Sequence, residues 1–476
     1  MNNNITKEVI SFNDLEKSIF NLVCFIGRFL TENILIMEDV KLHKELKKLY
    51  RNKGYATTVI KTVYGEVKYK RHKYVKINEE GKDVVVTPLD EKLKVEKIGL
   101  ISKNLVDKIV EVATENSFRE TAEIINKTTN ANVSHQVCWK VVQEVGESIK
   151  ADEENTLSKM YANELNPQKE TKVLFEEEDG VWLKMQGKKH EKKPKQELKV
   201  GTIYEGVTKD KKRRKLVNKK VYAGFEDSDT FHEKRESQVR SIYNVKAIEK
   251  RLLNGDGATW IKDQYASDKI YQLDPFHINQ AIKKNIAIDK EVAKEVTKLY
   301  KQCKIDEMLK YINTYADSVE TDNKFDIRSL KAKELYIYLS NNKEYLVPYK
   351  KRHIDLPKPP EGISYNNMGV QENQNCTVIT MRMCGGRKRW SADGGNHMAK
   401  ILYTKENNEL QKAIDETPIQ VNIKDIIFGS LEVFSAGKIP TTIGSGSKYI
   451  ETMNAHVMLR DVARTDSLNA FLDACF

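Results

Sequence analysis

The change of hydrophobic period at Thr171 constrains this chain most. Upstream, apolar residues recur mainly at intervals of three and four. From Thr171 to Pro275 they fall into short extended runs broken by turns and one helical stretch. Lys172–Asp179 reads as a strand ending in acidic residues, with Val181–Gln186 able to return antiparallel to it. Leu198–Tyr204, Val221–Phe225 and Lys269–Asp274 supply further extended segments. Residues 228–251 read as helix and lead into Leu252–Gly257. Strands interleaved with helices make residues 171–287 the first part of a mixed α/β core. A chain of 476 residues exceeds one ordinary core, so further domains are expected around it.

The surroundings are helical. In region 1–50, Ser11 with Asp14 resembles a capping box, and Phe12, Leu15, Ile19, Leu22, Ile26 and Phe29 form a stripe. The stripe needs a covering surface, expected from within the chain rather than from a second protomer. Region 51–100 contains a hairpin, 57–77, turning at Tyr64-Gly65-Glu66. Its second arm alternates Lys68, Lys70, Arg71 and Lys73 with Tyr69 and Tyr74, which suits a strand on a phosphate backbone or a strand with one solvated face. Region 101–150 reads as a helix-turn-helix: Ser117-Phe-Arg-Glu120 opens one helix, TTNANV makes the turn, and Ser134 caps the next. That helix would offer His135, Gln136, Trp139 and Lys140 to base edges, although any three-helix bundle shares the pattern. Residues 288–345 are helical throughout. Region 346–402 holds a proline-bearing linker and a helix at about 369–383 stopped by Gly385-Gly386, and 403–476 is a C-terminal region with the turn-rich GKIPTTIGSGSK.

The charge is concentrated. Lys184 to Lys220 carries 15 Lys or Arg against 4 Asp or Glu, a net of +11 that equals the net charge of the whole chain. Such a patch attracts a polyanion by counterion release, with Lys211, Lys212, Arg213, Arg214 and Lys215 as its densest part. A solvated loop would carry the same composition. The six cysteines form no CxxC pair, which argues against structural zinc. The uninterrupted apolar run Leu22–Gly27 is too short to span a bilayer, and MNNNITKEVI lacks the parts of a signal peptide, so a cytoplasmic location and no membrane partner are expected.

Chemistry on phosphodiesters needs carboxylates that converge from distant parts of a chain onto divalent cations. Asp179 before Gly180, Asp256 between Gly255 and Gly257, and Glu372 near a helix start form such an ordered trio. An Asp beside a Gly is also a common turn former. Arg387, Lys388, Arg389 and Trp390 form a further basic cluster, in which the Trp could stack on a base or anchor the fold.

DGVW at 179–182, GDGATWIK at 255–262, LDPFH at 273–277 and GVQENQN…RMCGGRKRWSADGGNHMAKIL at 369–402 resemble the ISLre-type bacterial insertion-sequence transposases, distant relatives of the Mutator-like transposases. The resemblance includes the KTVYGEVKYKRHKY hairpin. It implies an RNase H-like core whose triad falls on Asp179, Asp256 and Glu372, with the helices of 288–345 inserted before the glutamate. It also implies that Asp274 and His277 match a (C/D)xxH signature, here expected to brace the site from behind the ligands rather than bind metal. Two Mg2+ or Mn2+ ions, transposon ends and target DNA as partners, and a homo-oligomer on DNA complete the expectation. A nuclease on the same fold and a non-catalytic helix-turn-helix regulator are its rivals.

Overall fold

The computed structural model describes residues 11–78, 81–93, 100–187, 195–210, 213–262, 269–322 and 326–414. The N-terminal decapeptide, Lys211, Lys212 and the GKIPTTIGSGSK stretch lie outside these residues. The described chain divides into two units, one holding residues up to Ile109 with Phe118–Val137, the other Val110–Ser117 and Cys138–Ile414.

In the first unit α1 (Phe12–Leu46) starts at Ser11, whose hydroxyl accepts from the Asp14 N–H at 3.1 Å. The strands β1 (Arg51–Thr62), β2 (Gly65–Ile77) and β3 (Asp83–Val86) form an antiparallel meander followed by α2 (Pro88–Leu93). Leu35, Ile60, Val67, Tyr69 and Leu89 pack between helices and sheet. Tyr69 and Tyr74 are each only 1% exposed while Lys68 and Lys70 face solvent, so β2 is a strand with one solvated face. Gly65 sits at φ +113°, where a side chain would also crowd the Asn130 carbonyl.

Three helices follow: α3 (Lys103–Ala113), α4 (Phe118–Thr128) and α5 (His135–Tyr161). The turn between α4 and α5 is closed by Asn126, which both donates to the Val133 carbonyl and accepts from the Val133 N–H at 2.9 Å. The hairpin grips the same turn, because the Asn130 N–H donates to the Val63 carbonyl at 3.0 Å and Lys61 Nζ to the Asn132 carbonyl at 2.6 Å. The first arm and the tip of the hairpin thus brace the turn between α4 and α5.

The α1 stripe departs from expectation. Phe12 is 74% exposed and Ile19 52%, so its first turns are uncovered among the described residues. By length and composition this helix is also apolar enough to cross a membrane, which the broken apolar run in the sequence had argued against.

The second unit is built on a mixed sheet. Its strands are β4 (Val173–Lys184), β5 (Lys195–Tyr204), β8 (Lys220–Gly224), β9 (Lys250–Gly255) and β10 (Lys269–Leu273), with a hairpin of β6 (Val207–Asp210) and β7 (Arg213–Leu216) between β5 and β8. The order is β10-β9-β4-β5-β8: β4, β5 and β8 run antiparallel, and β9 and β10 lie parallel to β4. The expected turn at Gly180 is absent. β4 runs straight through it, and the antiparallel return is β5, with Asp179 opposite Val200. Gly180 pairs with Lys199 within the unbroken ladder, and the end of the Glu197 side chain lies where its Cβ would be.

One sheet face packs Leu174 and Ile203 on Val239 of α6 (Ser228–Ile242) and on Tyr243, its C-cap; the other packs Val173, Phe175, Tyr204 and Leu252 on Tyr349 and Met368. After the short α7 (Thr259–Lys262) come α8 (Pro275–Ile286), α9 (Lys290–Lys301), α10 (Ile305–Asp322) and α11 (Ile327–Asn341), which share one apolar core around Ile282, Met308, Ile312 and Leu335. The next helix has three parts: α12 (Gln371–Gln374), a π-helical segment at Asn375–Thr380, and α13 (Met381–Met383). Then α14 (Ala392–Glu406) lies against β8 and is followed by α15 (Leu410–Ala413).

Candidate metal centre

Side chains on a strand alternate between faces, and β4 carries four acids in a row. Glu176 and Glu178 face α6. Glu176 is fully buried and paired with Arg235, with Arg251 at 2.5 Å and Lys269 at 3.2 Å. Burial alone would raise its carboxyl; the three cations outweigh it and hold the group well below the usual carboxylate range. Glu178 pairs with Arg235 Nε at 2.8 Å. The alternation therefore removes two of the four acids from the opposite face.

That face presents Glu177 and Asp179. Glu177 is buried, accepting from Tyr204 Oη at 2.7 Å, Asn254 Nδ2 at 3.0 Å and the N–H groups of Gly369 and Val370 at 2.9 Å. Burial pushes its carboxyl up to about 7 against these donors. Gly369, at φ +111°, makes the bend that turns these N–H groups inward. Glu177 thus tethers the start of the glutamate helix to the sheet.

Asp179 lies two residues on, mid-strand rather than at a strand end. Its Oδ1 accepts from the Gly180 N–H at 2.8 Å and its Oδ2 from Asn375 Nδ2 at 2.7 Å. His277 Nε2, from the first turn of α8, is 3.4 Å from the same Oδ2. Glu372 on α12 is exposed, and burial followed by the Asp179 charge raises its carboxyl. Asp179, His277 and Glu372 each offer a ligand atom within 4.8 Å of the others. His277, expected behind the ligands, thus stands among them, and Asp274 instead caps α8 by accepting from the Phe276 N–H at 2.9 Å.

Asp256 stands just past β9, outside that close group. Its Oδ1 accepts from the Ala258 N–H at 2.8 Å, and Tyr338 Oη donates to its carbonyl at 2.8 Å. Burial, with the Asp179 charge behind it, raises its carboxyl against the pull of the Ala258 N–H. Parallel pairing of β9 with β4 accounts for its nearness: Glu177 pairs with Asn254, two residues before each aspartate.

These residues fit a divalent cation. Ligands on opposite sides of Mg2+ stand roughly 4 Å apart, which the spacing of the trio allows. Carboxylates suit Mg2+ and Mn2+, and an imidazole is the softer ligand. With no cation, His277 carries the compensating charge. Burial lowers its pKa, but the hydrogen bond and charge of Asp179, then Asp274 and Asp256, raise it to about 9. A pKa raised from about 6.5 stabilises the fold fully below that pH and loses its effect as pH climbs through 9. Stability in EDTA is therefore expected to fall between pH 6.5 and 9, and His277→Gln to flatten that fall. Denaturant melts at stepped pH check this; parallel curves for the two proteins would contradict it.

The remaining sequence-predicted residues divide. His135, Gln136, Trp139 and Lys140 are all exposed, as are Arg214, Lys215, Arg387 and Arg389. Arg213 lies on β7, with only its backbone described. The β6–β7 hairpin leaves the sheet beyond Tyr204, which pairs with Phe175. That point is four residues along β4 from Asp179, roughly 13 Å at a strand's rise, so the hairpin leaves the sheet away from Asp179. Lys388 is half-buried, its Nζ donating to the Arg382 carbonyl at 2.8 Å. Of the two roles open to Trp390, its surroundings match anchoring. It is 8% exposed, its Nε1–H donates to the Met383 carbonyl at 2.9 Å, and the Arg382 guanidinium lies 5.3 Å from its ring centroid. Sequence reasoning missed Glu177, Gln371 and Asn375; two of these stand in the QENQN block whose glutamate it did select.

Comparison with known proteins adds three likenesses. A protein of Streptococcus gallolyticus, "UPF0236 protein in vanSb 3'region", is 26% identical over 78% of this chain and 78% of its own. A UPF0236 protein of Caldanaerobacter subterraneus, whose name joins eleven locus labels, is 24% identical over 86% of this chain and 83% of its own. Among solved structures, the Drosophila P element transposase strand transfer complex matches 70% of this chain and 87% of that one at 11% identity, with a TM-score of 0.20, too slight to argue from. The model of the uncharacterised protein family UPF0236 matches residues 5–416, and the chain belongs to that family.

Proposed function

We propose that this chain is a DNA transposase of the RNase H-like, three-carboxylate class, which cleaves the ends of an insertion sequence and joins the freed 3′-hydroxyl to target DNA. The observation that carries the reading is the convergence of Asp179, His277 and Glu372 within 4.8 Å, with Asp256 beside them, from residues spread over almost two hundred positions. The sheet supports it: counted from β4 in chain order, its strands lie 5-4-1-2-3, the first three antiparallel and the last two parallel to the first, as in an RNase H-like core. A relative named for eleven loci is what a sequence repeated through a genome would receive.

Two Mg2+ or Mn2+ ions, held by Asp179, Asp256 and Glu372 with His277 as a further ligand, would supply nucleophile activation and stabilisation of the leaving oxygen. The chain's own part is to hold these side chains rigidly and guide DNA to them. The exposed start of α5 would read the element's ends, and Arg214 and Lys215 with their neighbours would follow phosphates. The reading places the protein in the cytoplasm, on the nucleoid, as a homo-oligomer on DNA.

The test supplies a pre-cut end with a free 3′-hydroxyl, a plasmid target and Mg2+. Joined products are expected. Cutting without joining would assign a nuclease, and binding without either would assign a regulator. A second measurement addresses the basic run. Replacing Lys211, Lys212, Arg213, Arg214 and Lys215 by Gln is expected to flatten the slope of log K against log salt by about 0.9 for each phosphate no longer neutralised. Specific and random DNA should weaken alike. Superimposable slopes would make the run a solvated loop.

A further inference from the structure

A chain of amide hydrogen bonds ties Asp179 to the glutamate helix, and its direction is fixed by its first member. Gln371 Nε2 donates to the Val200 carbonyl at 3.2 Å and to Asn375 Oδ1 at 2.9 Å. A carbonyl can only accept, so the Gln371 amide must turn its NH2 group there, and the second hydrogen of that group then calls for an oxygen from Asn375. The Asn375 amide is thereby oriented with Nδ2 toward Asp179, where it donates to Oδ2 at 2.7 Å. Val200 is the residue opposite Asp179 across β4 and β5. The relay therefore starts and ends on one rung of the sheet.

Its placement on the helix matters. Asn375 opens the π-helical segment, and Glu372 precedes it by three residues on the same side. One short helix thus carries a ligand and the group that orients another ligand. Asp179 Oδ1 is held separately by the Gly180 N–H, so both of its oxygens have partners before any cation arrives. The N-terminal tether on Glu177 is independent of the relay, since it uses backbone N–H groups.

We infer that Gln371 and Asn375 are positioning residues that set the rotamer of Asp179 for cation binding. The inference rests on the metal-centre reading above. Neither residue need touch the cation or DNA; their effect passes through one carboxylate. Partners behind a metal ligand typically change metal affinity by roughly ten- to a hundredfold.

The experiment is a Mn2+ titration of the full chain followed by electron paramagnetic resonance, with no DNA present. Asn375→Ala is expected to weaken Mn2+ binding roughly ten- to a hundredfold. Gln371→Glu, nearly isosteric and touching no ligand, is expected to do the same, because a carboxylate cannot donate to Val200 or fix the Asn375 amide. Asn373→Ala, on the exposed side of the same helix, should bind Mn2+ as wild type does. Melting in EDTA verifies that each variant is folded, and Gln371→Glu carries the test if Asn375→Ala is not. Wild-type Mn2+ affinity in a folded Asn375→Ala or Gln371→Glu protein, with Asp179→Asn impaired, would overturn the inference alone. Wild-type affinity in Asp179→Asn as well would overturn the metal centre with it.

Discussion

Asp179→Asn, Asp256→Asn and Glu372→Gln are each expected to lower Mg2+-dependent DNA cleavage by about a thousandfold or more, while DNA binding stays close to wild type. Each substitution keeps the side chain's size and removes a negative charge where cations must be held. Asp179 should be the most sensitive, because both of its oxygens are held in place and its Oδ2 lies 3.4 Å from His277 Nε2. Glu372 is exposed, so its loss should leave the fold intact and act on chemistry alone. Asp256 lies outside the close group, and its variant asks whether a second cation is needed there. Gel-based cleavage and filter binding on the same preparations separate the two effects. Near-normal cleavage by any one variant would remove that residue from the site.

The second large effect concerns the other sheet face. Arg235→Met is expected to destabilise the second unit by about 3–5 kcal/mol, since it leaves Glu176 and Glu178 buried with one cation fewer. The pH dependence follows from the sign of the Glu176 shift. A carboxyl held below its unfolded value contributes stability above that value and loses it as pH falls through the folded one. Wild type should therefore lose stability more steeply than Arg235→Met below about pH 4, where unfolded carboxyls titrate. Urea unfolding at neutral and acid pH measures both. A cost under about 1 kcal/mol would mean that Arg251 and Lys269 suffice without Arg235.

Much of this was legible in residues, and the failures have physical causes. Period and turn signals located several extended segments and the helices of 288–345, because those depend on local alternation. They also carried a helix to residue 251, whereas α6 ends at Ile242 and β9 begins at Lys250. The acids were chosen by their order along the chain, and their setting was not readable. Asp-Gly suggests a turn in sequence, whereas Gly180 lies here inside an unbroken strand, opposite Lys199. A run of four acids looks like an ambiguous register until strand alternation assigns Glu176 and Glu178 to a buried cationic cluster and Glu177 to a helix tether. His277 looked like a brace because it lies three residues from Asp274, but capping takes Asp274 and leaves the imidazole facing Asp179. Trp390 sat among basic residues in sequence, yet a carbonyl three-dimensionally adjacent claims its indole N–H. Amide relays such as Gln371–Asn375 leave no periodic trace at all.

The most direct test of the metal centre is anomalous diffraction from crystals of the full chain grown with Mn2+ and recorded at the manganese edge. A peak bonded to Asp179 and Glu372, with His277 as a further ligand, is expected, and it should disappear in Asp179→Asn. Manganese bound only elsewhere, or a peak unaffected by that substitution, would contradict it.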